Sequence, residues 1–270
     1  MDDEQVKGAN ILDILPKLKK LRPIDDMFFR LLSGRIQVCQ ELLQTLLEDE
    51  DLSVKQVIPQ CKLIGINRSA VLDVLCVLST AELVNIEVQK ENSNDDLRRT
   101  RFHASLITTN YTQAGTDFSK VPDVKVIYIS EYDVLKTGKP LTVKRNMVKN
   151  KNGMDCRINN GETIYFATSK VVDDTKISRL LQRMIDTDSF WDSEFPALSE
   201  AVNFFKCTKE GNLIMCKLAE ELKESGRIEG RQEGQLETIV TLIKNGMISL
   251  EQAVEQFGIG EQELKVYLKK

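Results

Sequence analysis

The clearest hydrophobic pattern runs from Arg68 to Lys90, where two β-branched apolar runs flank a short polar connection, Ser79 to Glu82. That pattern predicts a buried β-hairpin. Two carboxylates interrupt it, Asp73 in the first run and Glu87 in the second. Strand side chains alternate between faces, so Glu87 and Gln89 share one face while Val84, Ile86 and Val88 share the other. Upstream, Pro23 opens a helix with Asp25 or Asp26 as its N-cap. Cys39, Leu42, Leu43, Leu46 and Leu47 then line one face of a helix over 36–47. Residues 54–64 read as a first strand, with a turn near Gly65–Asn67. Downstream, polar residues 91–96 lead into a helix over 97–111. Val124–Ser130 predicts a strongly apolar strand and 163–168 a closing strand, and helices fill 176 to about 205.

The C-terminal third changes character. An amphipathic helix over 213–222 gives way to Gly226, Gly230 and Gly234, every fourth residue, with Glu229, Glu233 and Glu237 in step. On a helix these glycines share a face. Each costs about 1 kcal/mol relative to Ala, so the segment is either a weak helix or one packed closely against a neighbour. Residues 238–270 read as a helix, a break at Gly246, a helix over 250–257, a Gly258–Gly260 turn and a last helix over 261–268. This order resembles a helix-turn-helix, but the last helix lacks the Arg and Asn that read bases. A small protein-contact bundle is the preferred reading. The plan is a polar lead-in over 1–22, a main domain over 23–206, a helical linker over 207–237 and the bundle over 238–270.

Composition narrows the classes. A chain of 270 residues, 29% charged and 41% hydrophobic, can hold a domain of about 200 residues and a small appendage. No stretch approaches the roughly 18 apolar residues of a membrane helix. The start, Met-Asp-Asp-Glu-Gln, lacks the basic and apolar segments of a signal peptide. The expectation is a cytoplasmic protein with no membrane partner. Six cysteines without C-x-x-C spacing argue against zinc and against a disulfide framework; Cys39 and Cys76 read as core. A single histidine, His103, leaves no partner for a His-based zinc site and reads as structural.

The net charge of −4 is not that of a nucleic-acid coat protein, but an enzyme needs only local positive potential. Two stretches supply it. Arg98, Arg99 and Arg101 open the helix after the second carboxylate, where they can bind phosphate or simply offset Asp95 and Asp96. Residues 135–154 carry Lys136, Lys139, Lys144, Arg145, Lys149 and Lys151 and no acid. They read either as a two-stranded flap over a substrate, turning at Gly138 and Pro140, or as a solvated face. For Asp73 and Glu87 two readings also stand, a half-exposed sheet face or a buried pair that needs a cation.

The order of these pieces resembles a known family. Pro23-Ile-Asp-Asp-Met-Phe-Phe-Arg-Leu-Leu-Ser-Gly34 is followed by Leu72-Asp73-Val74-Leu75 and Asn85-Ile86-Glu87-Val88-Gln89. Then come Arg98–Arg101 leading to Tyr111, Val121-Pro122-Asp123-Val124 before Ile127-Tyr128-Ile129, and the Glu-Gly repeat over 226–234. Together, over about Pro23 to Gly234, they resemble the Rpn recombination-promoting nucleases, the PD-(D/E)xK nuclease family transposases. The resemblance implies an α/β fold with a restriction-endonuclease-like core, a central mixed sheet flanked by helices, and a helical tail.

It also implies hydrolysis of DNA phosphodiesters by a metal-dependent endonuclease that promotes recombination or mobile-element activity. Asp73, Glu87 and the Val88 carbonyl would hold Mg2+, with Mn2+ as substitute, and Asp73, Glu87 and Gln89 would be catalytic. Gln89 stands where the parent motif has a Lys, and Arg101 is the first candidate to compensate. Asp25, Asp26 and Glu41 are accessory acid candidates. Arg98, Arg99 and the six basic residues of 135–154 are candidate phosphate contacts. DNA is the implied partner. A homodimer would suit paired cuts on a duplex, though no residue demands one. The alternative is an inactive nuclease-fold protein acting as a protein-interaction or DNA-binding module. No third, well-separated carboxylate suggests a DDE transposase mechanism.

Overall fold

The computed structural model describes residues 14–153 and 155–268. The first thirteen residues of the expected lead-in lie outside them. After a short helical stretch over 14–18 come helices α1 (Asp26–Ser33) and α2 (Ile36–Leu47). They bury Phe28, Phe29, Leu32, Val38, Cys39, Leu42, Leu43 and Leu46, the positions that recur at helical spacing. Asp25 occupies the α1 N-cap without a side-chain capping bond, and Asp26 lies in the first turn. The chain then forms β1 (Val54–Leu63), β2 (Ala70–Leu78), β3 (Leu83–Gln89), α3 (Asp96–Tyr111), a 3₁₀ turn (Phe118–Lys120) and β4 (Val124–Ser130). Strands β5 (Leu141–Lys144), β6 (Met147–Lys149), β7 (Asp155–Arg157) and β8 (Glu162–Thr168) follow. Next are α4 (Lys176–Met184) and α5 (Pro196–Cys207).

Six strands form one mixed sheet in the order β1-β2-β3-β4-β8-β5. The first three are an antiparallel meander, β3-β4-β8 are parallel, and β5 returns antiparallel on the far edge. Parallel pairing requires a crossover, which α3 supplies between β3 and β4. The central strands β3 and β4 are buried on both faces. On one face α3 packs Ala104, Leu106 and Ile107 against Leu75, Leu83, Val126, Tyr128 and Phe166. The opposite face takes the first helices. There Cys39 lies against Cys76, and the proximity of the two thiols with their burial holds Cys39 well above the ordinary thiol range. Both are core thiols, inert by that environment.

The segment 135–154 does not form one flap. Its first strand, β5, joins the main sheet against β8, while β6 pairs with β7 in a separate two-stranded ribbon.

The chain separates into two compact units, Met1–Cys216 and Lys217–Lys270. The second takes in the stretches 217–237 and 238–270 that the sequence reading treats separately. Helix α6 (Lys209–Lys244) runs unbroken through all three glycines. A Cβ added at Gly226, Gly230 or Gly234 would meet nothing within 4 Å. The helix therefore persists on the propensity of its Glu, Arg, Gln and Leu residues and not on a close neighbour. It ends before Gly246, whose φ of +69° suits glycine. Helix α7 (Leu250–Phe257) starts with a Ser249/Gln252 capping box and stops at left-handed Gly258. With α8 (Glu261–Leu268), it buries Ile239, Val240, Ala253 and Leu264. Among the described residues no helix is long and apolar enough to cross a membrane.

Candidate active site

The β2–β3 register pairs Val74 with Ile86. One step further it sets Asp73 opposite Glu87, just past the last paired residues of the two strands. There the ladder opens and side chains take over the backbone groups. The Val88 amide donates to Asp73 Oδ2 at 2.9 Å, and the Asp73 amide lies 3.4 Å from Glu87 Oε1. Asn85, two residues before Glu87 on the same face, donates its amide to Glu87 Oε1 at 2.9 Å. The ring of His103, projecting from α3, brings Nδ1 to 3.4 Å from that same oxygen. This contact is close but lacks hydrogen-bond alignment, and Nδ1 has no other partner among the described residues.

Each carboxylate is thus held through one oxygen. Among the described residues, none donates a hydrogen bond to Asp73 Oδ1 or Glu87 Oε2. Glu87 is buried, while Asp73 keeps one edge toward solvent. Burial pushes the Asp73 carboxyl up to about 8, and the negative charge of Glu87 adds to that effect; the Val88 amide and Arg99 pull the other way. Two facing carboxylates that repel each other in a partly dry site are what a bound cation would relieve.

The pair lies at the base of a cleft of about 780 Å³. Its walls include Asp26 from α1, Arg68–Val71 from the β1–β2 hairpin, Gln89 and Lys90, and Arg98, Arg99, Arg101 and His103 from α3. All three arginines near the start of α3 therefore face one cavity with the carboxylates. Arg99, not Arg101, is the half-buried one, and its charge acts on both Asp73 and Glu87. Asp95, at the helix start, holds Arg99 within 3.4 Å. Asp96 is not a surface charge. It is buried and accepts hydrogen bonds from the Tyr128 and Tyr132 hydroxyls at 2.5 and 2.8 Å, which fixes the entry of α3 beside the cleft.

The other expected acids part company. Asp26 lines the cleft and its charge reaches Asp73. Asp25 is held elsewhere, by Arg22 at 3.1 Å and Lys90 at 3.0 Å. Arg22 also binds Glu131 at 2.7 Å. This network keeps the Asp25 carboxyl below its ordinary value against the opposing effect of burial. It also engages Lys90. Glu41 is not at the cleft. Its oxygens accept the Ala197 and Leu198 amides, both at 2.9 Å, so it caps α5 from a distance. That role was invisible locally because cap and helix are over 150 residues apart.

The basic residues of 135–154 do not reach the cleft either, and none of them lines it. Strand β5 is three positions from β3 in the sheet order, about 14 Å away at ordinary strand spacing. Of the two expectations for this stretch, a flap over the substrate or a solvated face, the single flap does not form, and its basic residues lie away from the cleft. Gln89 does line the cleft, with its amide turned to the Glu91 carbonyl at 3.1 Å. Asn85 is the residue that the sequence alone did not single out, and His103, expected to be structural, lines the cleft beside Glu87. The signal for Asn85 was its two-residue spacing from Glu87.

A mixed sheet flanked by helices, with carboxylates on adjacent strands, is consistent with a PD-(D/E)XK fold. The chain belongs to the PD-(D/E)XK nuclease family transposases, whose family model matches residues 23–173. This supports a nuclease-type function. No curated protein and no solved structure shows significant similarity to the chain.

PD-(D/E)XK nucleases generally use divalent metals. Among the described residues no group of three or more His, Cys, Asp or Glu side chains is arranged to hold a metal ion. The donor set fits a hard cation nonetheless. Mg2+ keeps several waters and is commonly held by one or two carboxylates together with substrate phosphate, and Asp73 Oδ1 and Glu87 Oε2 are two such oxygens.

Proposed function

We propose that the protein is a Mg2+-dependent DNA endonuclease whose catalytic residues are Asp73, Glu87 and Gln89, with Mn2+ able to substitute. The observation that carries this is the pair of facing carboxylates, each with one uncommitted oxygen, at the base of an arginine-walled cleft. Asp73 Oδ1, Glu87 Oε2 and the Val88 carbonyl would hold the metal. Within a strand a residue's N–H and C=O point to the same side, so the Val88 carbonyl is directed toward β2, where the pairing has ended. The metal supplies a bound water of lowered pKa and stabilises charge on the scissile phosphate.

The chain's own residues do the rest. Asn85 holds Glu87 through Oε1, with the His103 ring packed beside that oxygen, and the Val88 amide holds Asp73 through Oδ2, so that the second oxygens stay directed into the cleft. Gln89 orients the attacking water by hydrogen bonding. It carries no charge, and Arg99 supplies the positive potential that a lysine there would give. Arg98 and Arg101 bind flanking phosphates. Cleavage of duplex DNA by such a site is a route to recombination. The missing lysine favours a second reading, an inactive nuclease-fold binding module.

Nicking of supercoiled plasmid with Mg2+ by the parent and its Asp73→Ala variant tests the assignment. Cleavage by the parent alone is expected. Equal cleavage by both would remove Asp73 from the mechanism. Failure of both, with Mn2+ also tried, would leave the binding module.

A further inference from the structure

We propose that the tip of the β1–β2 hairpin, Ile64–Arg68, is a wedge that enters duplex DNA beside the cleft, so that the enzyme selects DNA whose base steps open easily. The inference rests on the nuclease reading of the cleft and adds a substrate class to it.

Ile64 is 79% exposed and Ile66 fully exposed. Single exposed apolar residues are ordinary. These two stand on one short turn, and the same turn sends Arg68, Ser69, Ala70 and Val71 into the cleft wall. The tip is braced. Asn110 of α3 donates to the Ile64 carbonyl at 3.0 Å and accepts the Ile64 amide at 3.2 Å. The Gly65 amide donates to Ser69 Oγ at 3.3 Å, and a Cβ on Gly65 would come within 2.1 Å of the Arg68 carbonyl oxygen. Only glycine permits so tight a fold. The Arg68 guanidinium rests 5.8 Å from the centre of the Phe102 ring. A turn held this way gives up little freedom when it is inserted.

Apolar side chains that enter between base steps unstack them and kink the duplex. Arg68 closes the same turn, and Arg98 and Arg101 lie with it in the cleft wall, cations suited to the phosphates beside an inserted tip. That charge setting favours nucleic acid over a protein or lipid partner. Ile66 is seven residues from Asp73, at most ~23 Å along an extended strand. At 3.4 Å per base pair the wedge falls within about seven base pairs of the cut. Pyrimidine–purine steps, mismatches and bulges yield at least cost and should be preferred there.

The test compares the full chain with an Ile64→Ala/Ile66→Ala variant. Both side chains are exposed, so the fold is expected to survive, and circular dichroism checks it. Short duplexes carry 2-aminopurine at successive positions, with Ca2+ in place of Mg2+ to hold back cleavage. The parent should raise the fluorescence at one step within about seven base pairs of the cut, and the variant should not. In Mg2+ the variant should nick a fully paired duplex at least ~10-fold more slowly, a loss of about 1.4 kcal/mol, yet cut a duplex mismatched at that step nearly as fast as the parent. No fluorescence rise with the parent, or an equal rise with the variant, overturns the wedge. A rise that the substitutions abolish in a protein that never cuts would overturn the nuclease reading and leave the wedge standing.

Discussion

Asp73 gives the sharpest physical test of the site, because in the absence of metal its charge should work against the fold. Its carboxyl is pushed from 3.8 up to about 8. The folded value lies above the unfolded one, so the group stabilises the protein fully below about pH 4. That contribution is lost as pH rises through 8. While the native state holds the extra proton, stability falls by about 1.4 kcal/mol per pH unit. The whole span corresponds to roughly 6 kcal/mol, reduced in practice because cleft water and salt screen the pair.

Asp73→Asn removes the titration and the repulsion with Glu87, and its side-chain oxygen can still accept the Val88 amide. In EDTA at pH 8 the variant should therefore be more stable than the parent by about 1–4 kcal/mol, a rise in melting temperature of at least about 3 °C for a unit of this size. Urea unfolding from pH 5 to 8.5 measures it. The parent's stability should slope downward, the variant's should be flatter, and Mg2+ should restore only the parent. The variant should also be inactive, the usual exchange of stability for function at a charged site. If the variant is no more stable than the parent at pH 8, or keeps the parent's pH slope, the reasoning about this pair is wrong.

Three further outcomes follow from particular contacts. Gln89→Lys should raise the nicking rate several-fold by adding the absent charge, while Gln89→Ala should lower it ~10-fold or more; a neutral result for both would take Gln89 out of the mechanism. His103→Ala should weaken Mn2+ binding about 10-fold, by removing the ring packed 3.4 Å from Glu87 Oε1. Titration followed by the Mn2+ spin-resonance signal reads this without cleavage, and unchanged affinity would make the ring mere packing. Glu41→Ala should cost about 1–2 kcal/mol in urea unfolding, by leaving the first amides of α5 uncapped, with cleavage per folded molecule unchanged; a selective loss of cleavage would return Glu41 to the site.

The sequence by itself determined the strands and their faces. The period of two through Leu83–Gln89 fixed Glu87 and Gln89 on one side, and Ser79–Glu82 is too short for anything but an antiparallel return, which brings Asp73 beside Glu87. It likewise determined α2 and the capped helices near the C-terminus, where the start and stop signals are local. Only the tertiary structure decided which cover each face receives and which distant groups meet there. Helix α3 crosses above β3, so His103 and Arg99 come to the carboxylates, whereas β5 joins the far edge and carries its lysines away. Asp25 goes to Arg22 and Lys90, and Glu41 to the amides of α5. Periodicity records that a position faces inward, because burial of apolar area leaves its mark along the chain. It does not record the partner, since hydrogen bonds and ion pairs across the fold join residues with no shared local pattern.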